Sequence, residues 1–173
     1  STGPIGALLR QALTGRWVTP TPFGPRAPSA ISMALLFAAD RQDHLEAEVS
    51  PLLAEGVNVI SDRYYHSSVA YQSLAGGGAD QIAWIRELNK HARRPDLTIV
   101  LDVSASVAEQ RRRARGGREL FDDAEFQQRL GEFYAGLERH FEGEPIVHVQ
   151  GDRGVDVVAA DILAQVQPVL ARR

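Results

Sequence analysis

The sequence contains no cysteine, and its nineteen basic residues include a single lysine, Lys90. The absence of cysteine excludes disulfides, thiol catalysis and cysteine-ligated metal sites from these 173 residues. No apolar run reaches the length of a membrane span. No N-terminal stretch has the order of a signal peptide, so a cytoplasmic protein is expected. The net charge of −3 argues against a general binder of nucleic acid or of membrane surfaces.

What is present is a hydrophobic fraction of 44% over a length typical of one domain, taken as 1–173. Apolar residues at helical spacing predict helices over 4–13, 30–54 (bent near Pro51), 66–75, 81–93, 105–114, 126–141 and 155–166. Short apolar runs predict strands over 57–60, 97–103 and 146–149. Strands that alternate with helices predict an α/β fold with a parallel sheet flanked by helices.

A polar motif follows the first predicted strand. Asp62 and Arg63 stand just beyond its carboxyl end, which is where ligands bind in parallel sheets. A carboxylate beside a guanidinium suits a metal ion and a phosphate. Ser68 and Gln72 share one face of the next predicted helix, with Tyr71 beside them. The alternative is a structural Asp–Arg ion pair that caps this helix.

Phe37 and Arg41 are one helical turn apart in the predicted helix over 30–54. An aromatic ring and a guanidinium can stack on a planar base and hydrogen-bond to it. The alternative is a phenylalanine in the core and an arginine that faces solvent.

A basic run with paired glycines covers 111–118, with the sequence Arg-Arg-Arg-Ala-Arg-Gly-Gly-Arg. The glycines favour a mobile flap that carries cations onto a polyphosphate and then opens. A nucleic-acid patch or a solvated face is the alternative. The acidic residues Glu119, Asp122 and Asp123 follow at once and oppose binding to nucleic acid.

In their order along the chain, these segments resemble thymidylate kinase, the family that makes dTDP from dTMP and ATP. The most specific segment is 62–72, Asp-Arg-Tyr-Tyr-His-Ser-Ser-Val-Ala-Tyr-Gln. The other segments that carry the resemblance are 1–10, 35–41, 94–98 and 119–122. The resemblance implies a P-loop NTPase-like nucleoside monophosphate kinase fold, Mg²⁺ as cofactor with ATP, a homodimer, and a lid over about 111–122.

The resemblance also implies which residues bind the thymine and the sugar of dTMP. Phe37 would stack on the base, while Arg41 and Gln72 hydrogen-bond its edge. Ser68 would lie close to the base, and Tyr71 would pack under the sugar and disfavour a 2′-hydroxyl.

Further positions are implied for the phosphates. Arg10 and Arg63 would hold the phosphate of dTMP, and Asp62 would lie near this phosphate and near Mg²⁺, which it would contact through water. Either Arg115 or Arg118 would reach in from the lid. The choice between them stays open, because many members of the family have arginine where this chain has leucine, two residues after Arg118.

One expected motif does not occur. The sequence has no Gly-x-x-x-x-Gly-Lys-Ser/Thr, and no glycine-rich loop precedes Lys90. The family places that loop between its first strand and first helix, so the resemblance implies that the first two strands are missing from this chain. We therefore expect the chain alone to be inactive, and the chain with its upstream segment to phosphorylate dTMP. The alternatives are a degenerate, non-catalytic module that binds a nucleotide or a partner, and a kinase for another nucleoside monophosphate.

Overall fold

The computed structural model describes residues 1–76, 79–115 and 124–171. The chain divides into two compact units, Ser1–Arg93 and Arg94–Arg173. The first unit is helical in its described residues, whereas the second contains a sheet. None of the described helices is both long and apolar enough to cross a membrane.

The first unit is organised around a buried helix. Its α-helices are α1 (Pro4–Leu13), α2 (Ala30–His44), α3 (Ser50–Ala54), α4 (Tyr65–Gly76) and α5 (Ala79–Leu88). Helix α4 packs against both α2 and α5, and Val69 and Ala70 of α4 are fully buried there with Ile85 of α5. Because α4 packs against both helices, polar residues of α4 lie near α2 and α5.

The predicted helix over 30–54 is present, but its irregular turn lies at Leu45–Val49 and not at the predicted bend near Pro51. Ser29 caps its start, since the Ser29 hydroxyl accepts a hydrogen bond from the Ser32 amide at 3.1 Å. A π-helical turn over Leu45–Val49 joins α2 to α3, directly before Pro51. Proline has no amide hydrogen and its ring crowds the carbonyl four residues earlier, which favours a wider turn at that point.

The predicted strand over 57–60 is wrong. These residues form no strand, and they have no β-ladder partner among the residues that the structure describes. Ile60 is 96% exposed and Val57 is 43% exposed. An apolar run becomes a strand only when a neighbouring chain pairs with its amide and carbonyl groups, and no described segment does so here.

The second unit carries the parallel sheet that the sequence predicts. Strands β1 (Thr98–Asp102) and β2 (Ile146–Gln150) pair in parallel, with Thr98 opposite Ile146 and Asp102 opposite Gln150. The helices of this unit are α6 (Ala105–Arg115), α7 (Ala124–Ala135) and α8 (Val155–Leu170). Its buried apolar side chains are Val100, Leu130, Phe133, Leu137, Phe141 and Val149. The α/β class is thus confirmed on two described strands.

Two predicted helices end earlier than expected. Helix α7 stops before Gly136, and a short 3₁₀ turn over Leu137–Arg139 follows, because glycine is a poor helix former. Helix α5 stops at Leu88 instead of continuing to 93. The side chain of Asn89 donates from Nδ2 to the Ile85 carbonyl at 2.7 Å, which satisfies an acceptor at the end of α5.

Candidate functional site

The first unit holds the guanidinium of Arg41 between three elements. Its Nη2 donates to the hydroxyl of Ser68 on α4 at 2.6 Å, and its Nη1 donates to Oδ1 of Asn89. The Arg41 carbon Cζ lies 5.5 Å from the centre of the Tyr64 ring, within the range of a cation–π contact. Arg41 is therefore a fixed, half-buried group, and the alternative of an arginine facing solvent is wrong.

The charge of Arg41 has no acidic partner at ion-pair distance in the described part of the chain. Burial lowers the pKa of Arg41 below its usual range, and interactions with Tyr64, Asp40 and Tyr65 oppose that shift. Arginine keeps its proton even so. A partly desolvated cation held only by neutral groups is well suited to bind a carbonyl oxygen of a ligand.

Gln72 lies one turn beyond Ser68 on α4 and is only 8% exposed. Its side-chain oxygen Oε1 is buried and has no hydrogen-bond partner among the described residues. A buried carbonyl without a partner costs free energy, so an unpaired one in a native protein calls for an explanation. An N–H donor on a bound ligand would satisfy it.

Two aromatic residues flank these polar groups in sequence. Phe37 is half-buried on α2, one turn before Arg41. Tyr71 is half-buried on α4, next to Gln72. The guanidinium carbon of Arg63 lies 5.0 Å from the centre of the Tyr71 ring, so the tyrosine holds the arginine in place.

Asp62 and Arg63 occupy the loop before α4, and both are exposed. They form no ion pair with each other, so the alternative of a capping Asp–Arg pair is wrong. Arg63 has a φ of 66°, in the left-handed region that residues with a side chain seldom adopt. The Ser61 hydroxyl donates to the Arg63 carbonyl at 2.7 Å and supports this backbone conformation.

Arg10 lies on α1 and is exposed. Its Nη1 donates to the Ser1 carbonyl at 2.6 Å, and it makes no described contact with Arg41 or Arg63. Helices α1 and α2 approach closely nearby, where a Cβ on Gly6 would lie 2.9 Å from Asp40 Oδ1. The sequence-predicted phosphate residues are therefore not gathered into one contact network.

The first part of the basic run lies in a helix, and the rest lies outside the described residues. Arg111–Arg115 form the end of α6 in the second unit, while Arg118 lies outside the described residues. Nη2 of Arg111 donates to the Gly151 carbonyl at 2.8 Å. Arg113 donates from Nε to Glu109 at 2.6 Å, and Arg112 pairs with the same carboxylate. The first three arginines of the run thus have structural partners.

The described residues contain no cluster of three histidine, aspartate or glutamate side chains fit to hold a metal ion. Asp62 is a single exposed carboxylate in the loop before α4. Lys90 lies in the turn after α5, where its Nζ contacts Oε1 of Glu87 at 2.5 Å. That contact is typical of a surface lysine and differs from the phosphate-binding lysine of a glycine-rich loop.

Sequence reasoning missed Asn89. It is 9% exposed and contacts both Arg41 and the end of α5. Glutamate, lysine and histidine stand close to it in the predicted helix, and this polar setting is typical of a surface residue. The available signal was the tendency of asparagine to end helices.

A parallel α/β unit, together with a helical unit that presents an unpaired amide and a desolvated guanidinium, defines an α/β protein equipped to bind a planar polar ligand. The thymidylate kinase family profile matches residues 1–162. A probable thymidylate kinase of Pyrobaculum aerophilum is 39% identical over 171 residues, covering 98% of this chain and 81% of that protein. One of Pyrobaculum calidifontis is 41% identical over 172 residues, covering 99% and 81%. A thymidylate kinase of Symbiobacterium thermophilum is 39% identical over 150 residues, covering 86% and 70%. The chain therefore belongs to the thymidylate kinase family.

Proposed function

We propose that the first unit binds dTMP and that the protein transfers a phosphoryl group from ATP to dTMP, giving dTDP and ADP. One observation carries this proposal. Two neighbouring helices present the Arg41 guanidinium, held by hydrogen bonds, and the side-chain carbonyl of Gln72, which has no hydrogen-bond partner among the described residues. Family membership supplies the reaction class.

The edge of thymine offers a carbonyl acceptor next to an N–H donor. Arg41 has N–H groups to donate beyond those used by Ser68 and Asn89, and Gln72 has a carbonyl to accept. A base with the opposite pattern, such as cytosine, would leave these buried groups unpaired, which discriminates strongly. Phe37 would stack on the base, since it lies on the same helix one turn before Arg41.

Tyr71 would pack under the sugar, and the arginine that it holds, Arg63, would bind the acceptor phosphate. Arg10 would join Arg63 after release of its bond to Ser1. Either Arg115 or Arg118 would act from the lid. Phosphoryl transfer requires mainly in-line positioning and charge neutralisation, and guanidinium groups are suited to both.

The exposed Asp62 carboxylate has the oxygen ligand type that Mg²⁺ prefers, and Mg²⁺ commonly takes one or two carboxylates together with substrate phosphates. Asp62 would therefore hold the ion, through water, at the acceptor phosphate. When bound, Mg²⁺ neutralises charge on the transferring group.

A coupled ADP-release assay with dTMP, dUMP and CMP tests the proposal. We expect no turnover by residues 1–173 alone, because they contain no phosphate-binding glycine loop. The protein expressed from its complete reading frame should turn over dTMP in preference to CMP. Turnover by the 173-residue chain would contradict the expectation that this chain alone is inactive. A complete protein that binds dTMP without turnover would contradict the catalytic proposal. The second outcome would favour the non-catalytic module. Homodimer formation and a cytoplasmic location stay predictions.

A further inference from the structure

Asn89 connects the end of α5 to the guanidinium of Arg41. Its amide nitrogen Nδ2 donates to the Ile85 carbonyl at 2.7 Å, and its amide oxygen Oδ1 accepts from Nη1 of Arg41. Because the two ends of the amide have different partners, the donor and acceptor requirements fix its orientation. The buried oxygen must then face α2.

Two neighbouring helical elements hold the two terminal nitrogens of Arg41. Ser68 on α4 accepts from Nη2, and Asn89 after α5 accepts from Nη1. A guanidinium is planar, so two fixed acceptors at its two ends set the direction of the whole plane. One acceptor alone would leave the plane free to turn about that bond.

Apart from the Tyr64 ring, the surroundings of Arg41 leave space beside its side chain. A cavity of about 330 Å³ lies beside it, with Gln42, Leu88 and Asn89 among the lining residues. This space gives the long Arg41 side chain other conformations, in which its N–H groups would point away from α4. The two hydrogen bonds, together with the contact to the Tyr64 ring, therefore keep the side chain in place.

We infer that Asn89 is a positioning residue for nucleobase recognition: it holds Arg41 in the orientation that reads the edge of the base. The inference rests on the proposed function. Asn89 acts through Arg41 and needs no contact with the nucleotide. Loss of the Asn89 acceptor should therefore weaken dTMP binding while leaving the ATP side and the transfer step nearly unchanged.

The experiment uses the protein from its complete reading frame, with dTMP titrated by calorimetry and in the coupled assay. Asn89→Leu removes the acceptor for Arg41 and the donor to Ile85, and the adjoining cavity gives room for leucine. We expect about a 10- to 100-fold rise in Kd and KM for dTMP, the range for a hydrogen bond to a charged group. The values of kcat and of KM for ATP should stay within about threefold, because no transition-state contact is removed.

Asn89→Asp separates the two hydrogen bonds. It keeps an acceptor for Arg41 and loses the donor to Ile85, but its carboxylate also pairs with the charge of Arg41. Affinity for dTMP should therefore fall less than in Asn89→Leu, without reaching that of the unmodified protein. Combining Asn89→Leu with Arg41→Met should add no further loss to that of Arg41→Met alone, as expected for residues that act together. Gln42→Ala is the matched control, since Gln42 lines the same cavity but donates to Glu46 at 2.6 Å.

Unchanged dTMP affinity in Asn89→Leu would overturn the inference alone. Equal losses in Asn89→Asp and Asn89→Leu would also overturn it, because they would assign the effect to the helix end. Should Asn89→Leu fail to fold, Asn89→Ala, which also removes the acceptor for Arg41, takes its place with the same expected loss of dTMP affinity. Absence of dTMP binding to the unmodified protein would overturn the proposed function, and this inference with it.

Discussion

The two units surround a basic side chain in opposite ways. In the first, Arg41 is partly desolvated and bonded to the neutral groups of Ser68 and Asn89. In the second, His148 lies between two carboxylates: its Nδ1 is 2.9 Å from Asp102 Oδ1, and its Nε2 is 2.9 Å from Glu138 Oε1. The fold places carboxylates beside the histidine, whereas no carboxylate of the described residues lies at ion-pair distance from the arginine.

This difference, rather than burial, is the reason why we propose a binding role for the first cluster and a structural role for the second. Both side chains are only partly withdrawn from solvent. What distinguishes them is whether the opposite charge is already provided by the fold. The histidine joins β1, β2 and the 3₁₀ turn before β2, so it serves packing. The arginine is bonded to α4, which also carries Gln72, and the side-chain oxygen of Gln72 has no hydrogen-bond partner among the described residues.

The largest expected effect that tests this comparison is the loss of dTMP affinity on substitution of Arg41. Arg41→Met should lower dTMP affinity about 100-fold, since it removes a charged hydrogen-bond donor from a partly desolvated site. Stability should change by less than about 2 kcal/mol, because relief of the buried charge offsets the lost bonds to Ser68 and Asn89. Calorimetric titration with dTMP and urea unfolding measure the two effects.

Arg41→Lys serves as a second variant, and it should restore little affinity, because an ammonium cannot span two acceptors as a planar fork does. Arg16→Met, at an exposed arginine, is the control for loss of charge alone. Full dTMP affinity in Arg41→Met would remove the distinction between the two clusters.

The next effect in size is at Gln72. Gln72→Leu keeps most of the side-chain volume and deletes a buried carbonyl that lacks a partner, so the free energy of unfolding should rise or stay level. Affinity for dTMP should fall about tenfold through loss of an acceptor for the base. Urea unfolding measures the change in stability, and titration with dTMP measures the change in affinity. A fall in both quantities would mean that Gln72 has a structural role.

The smallest effect concerns pH and the second unit. Burial opposes the charged form of His148, but the hydrogen bond and charge of Asp102, together with Glu138, outweigh it and raise the pKa above 6.5. A raised folded-state pKa gives stability that is full below about pH 6.5 and is lost as pH rises through the folded pKa. Since the pair is partly exposed, we expect less than about 1 kcal/mol.

Urea unfolding at pH 6 and pH 8 should therefore show a larger stability difference between the unmodified protein and His148→Gln at the lower pH. His91→Gln is the control, at an exposed histidine of the first unit. A difference that grows with pH would contradict the charged cluster.

Patterns that depend on local residues were predictable. Helical spacing and the Ser29 cap place α2, and β-branched runs place β1 and β2 within a residue or two. The run over 57–60 has the same composition as these strands, but strand formation depends on a partner that local sequence does not contain. The identical reasoning therefore succeeded in the second unit and failed in the first.

The candidate site was predictable in its residue types and less so in its connections. Arg41, Ser68 and Gln72 were found from helical spacing and from the family resemblance. Asn89 was not, because its contact with Arg41 joins positions 48 residues apart. Such a contact depends on how α2 and α5 pack, which no local pattern records.

Because the backbone of Arg63 is left-handed, stability and the proposed function favour different residues at this position. Glycine would adopt the same φ without steric cost, and asparagine would adopt it at little cost. A library varied at this one codon and sorted for resistance to unfolding should therefore enrich glycine and asparagine. The same library sorted for growth on thymidylate turnover should enrich arginine. Enrichment of glycine or asparagine in both selections would contradict the proposed role of Arg63.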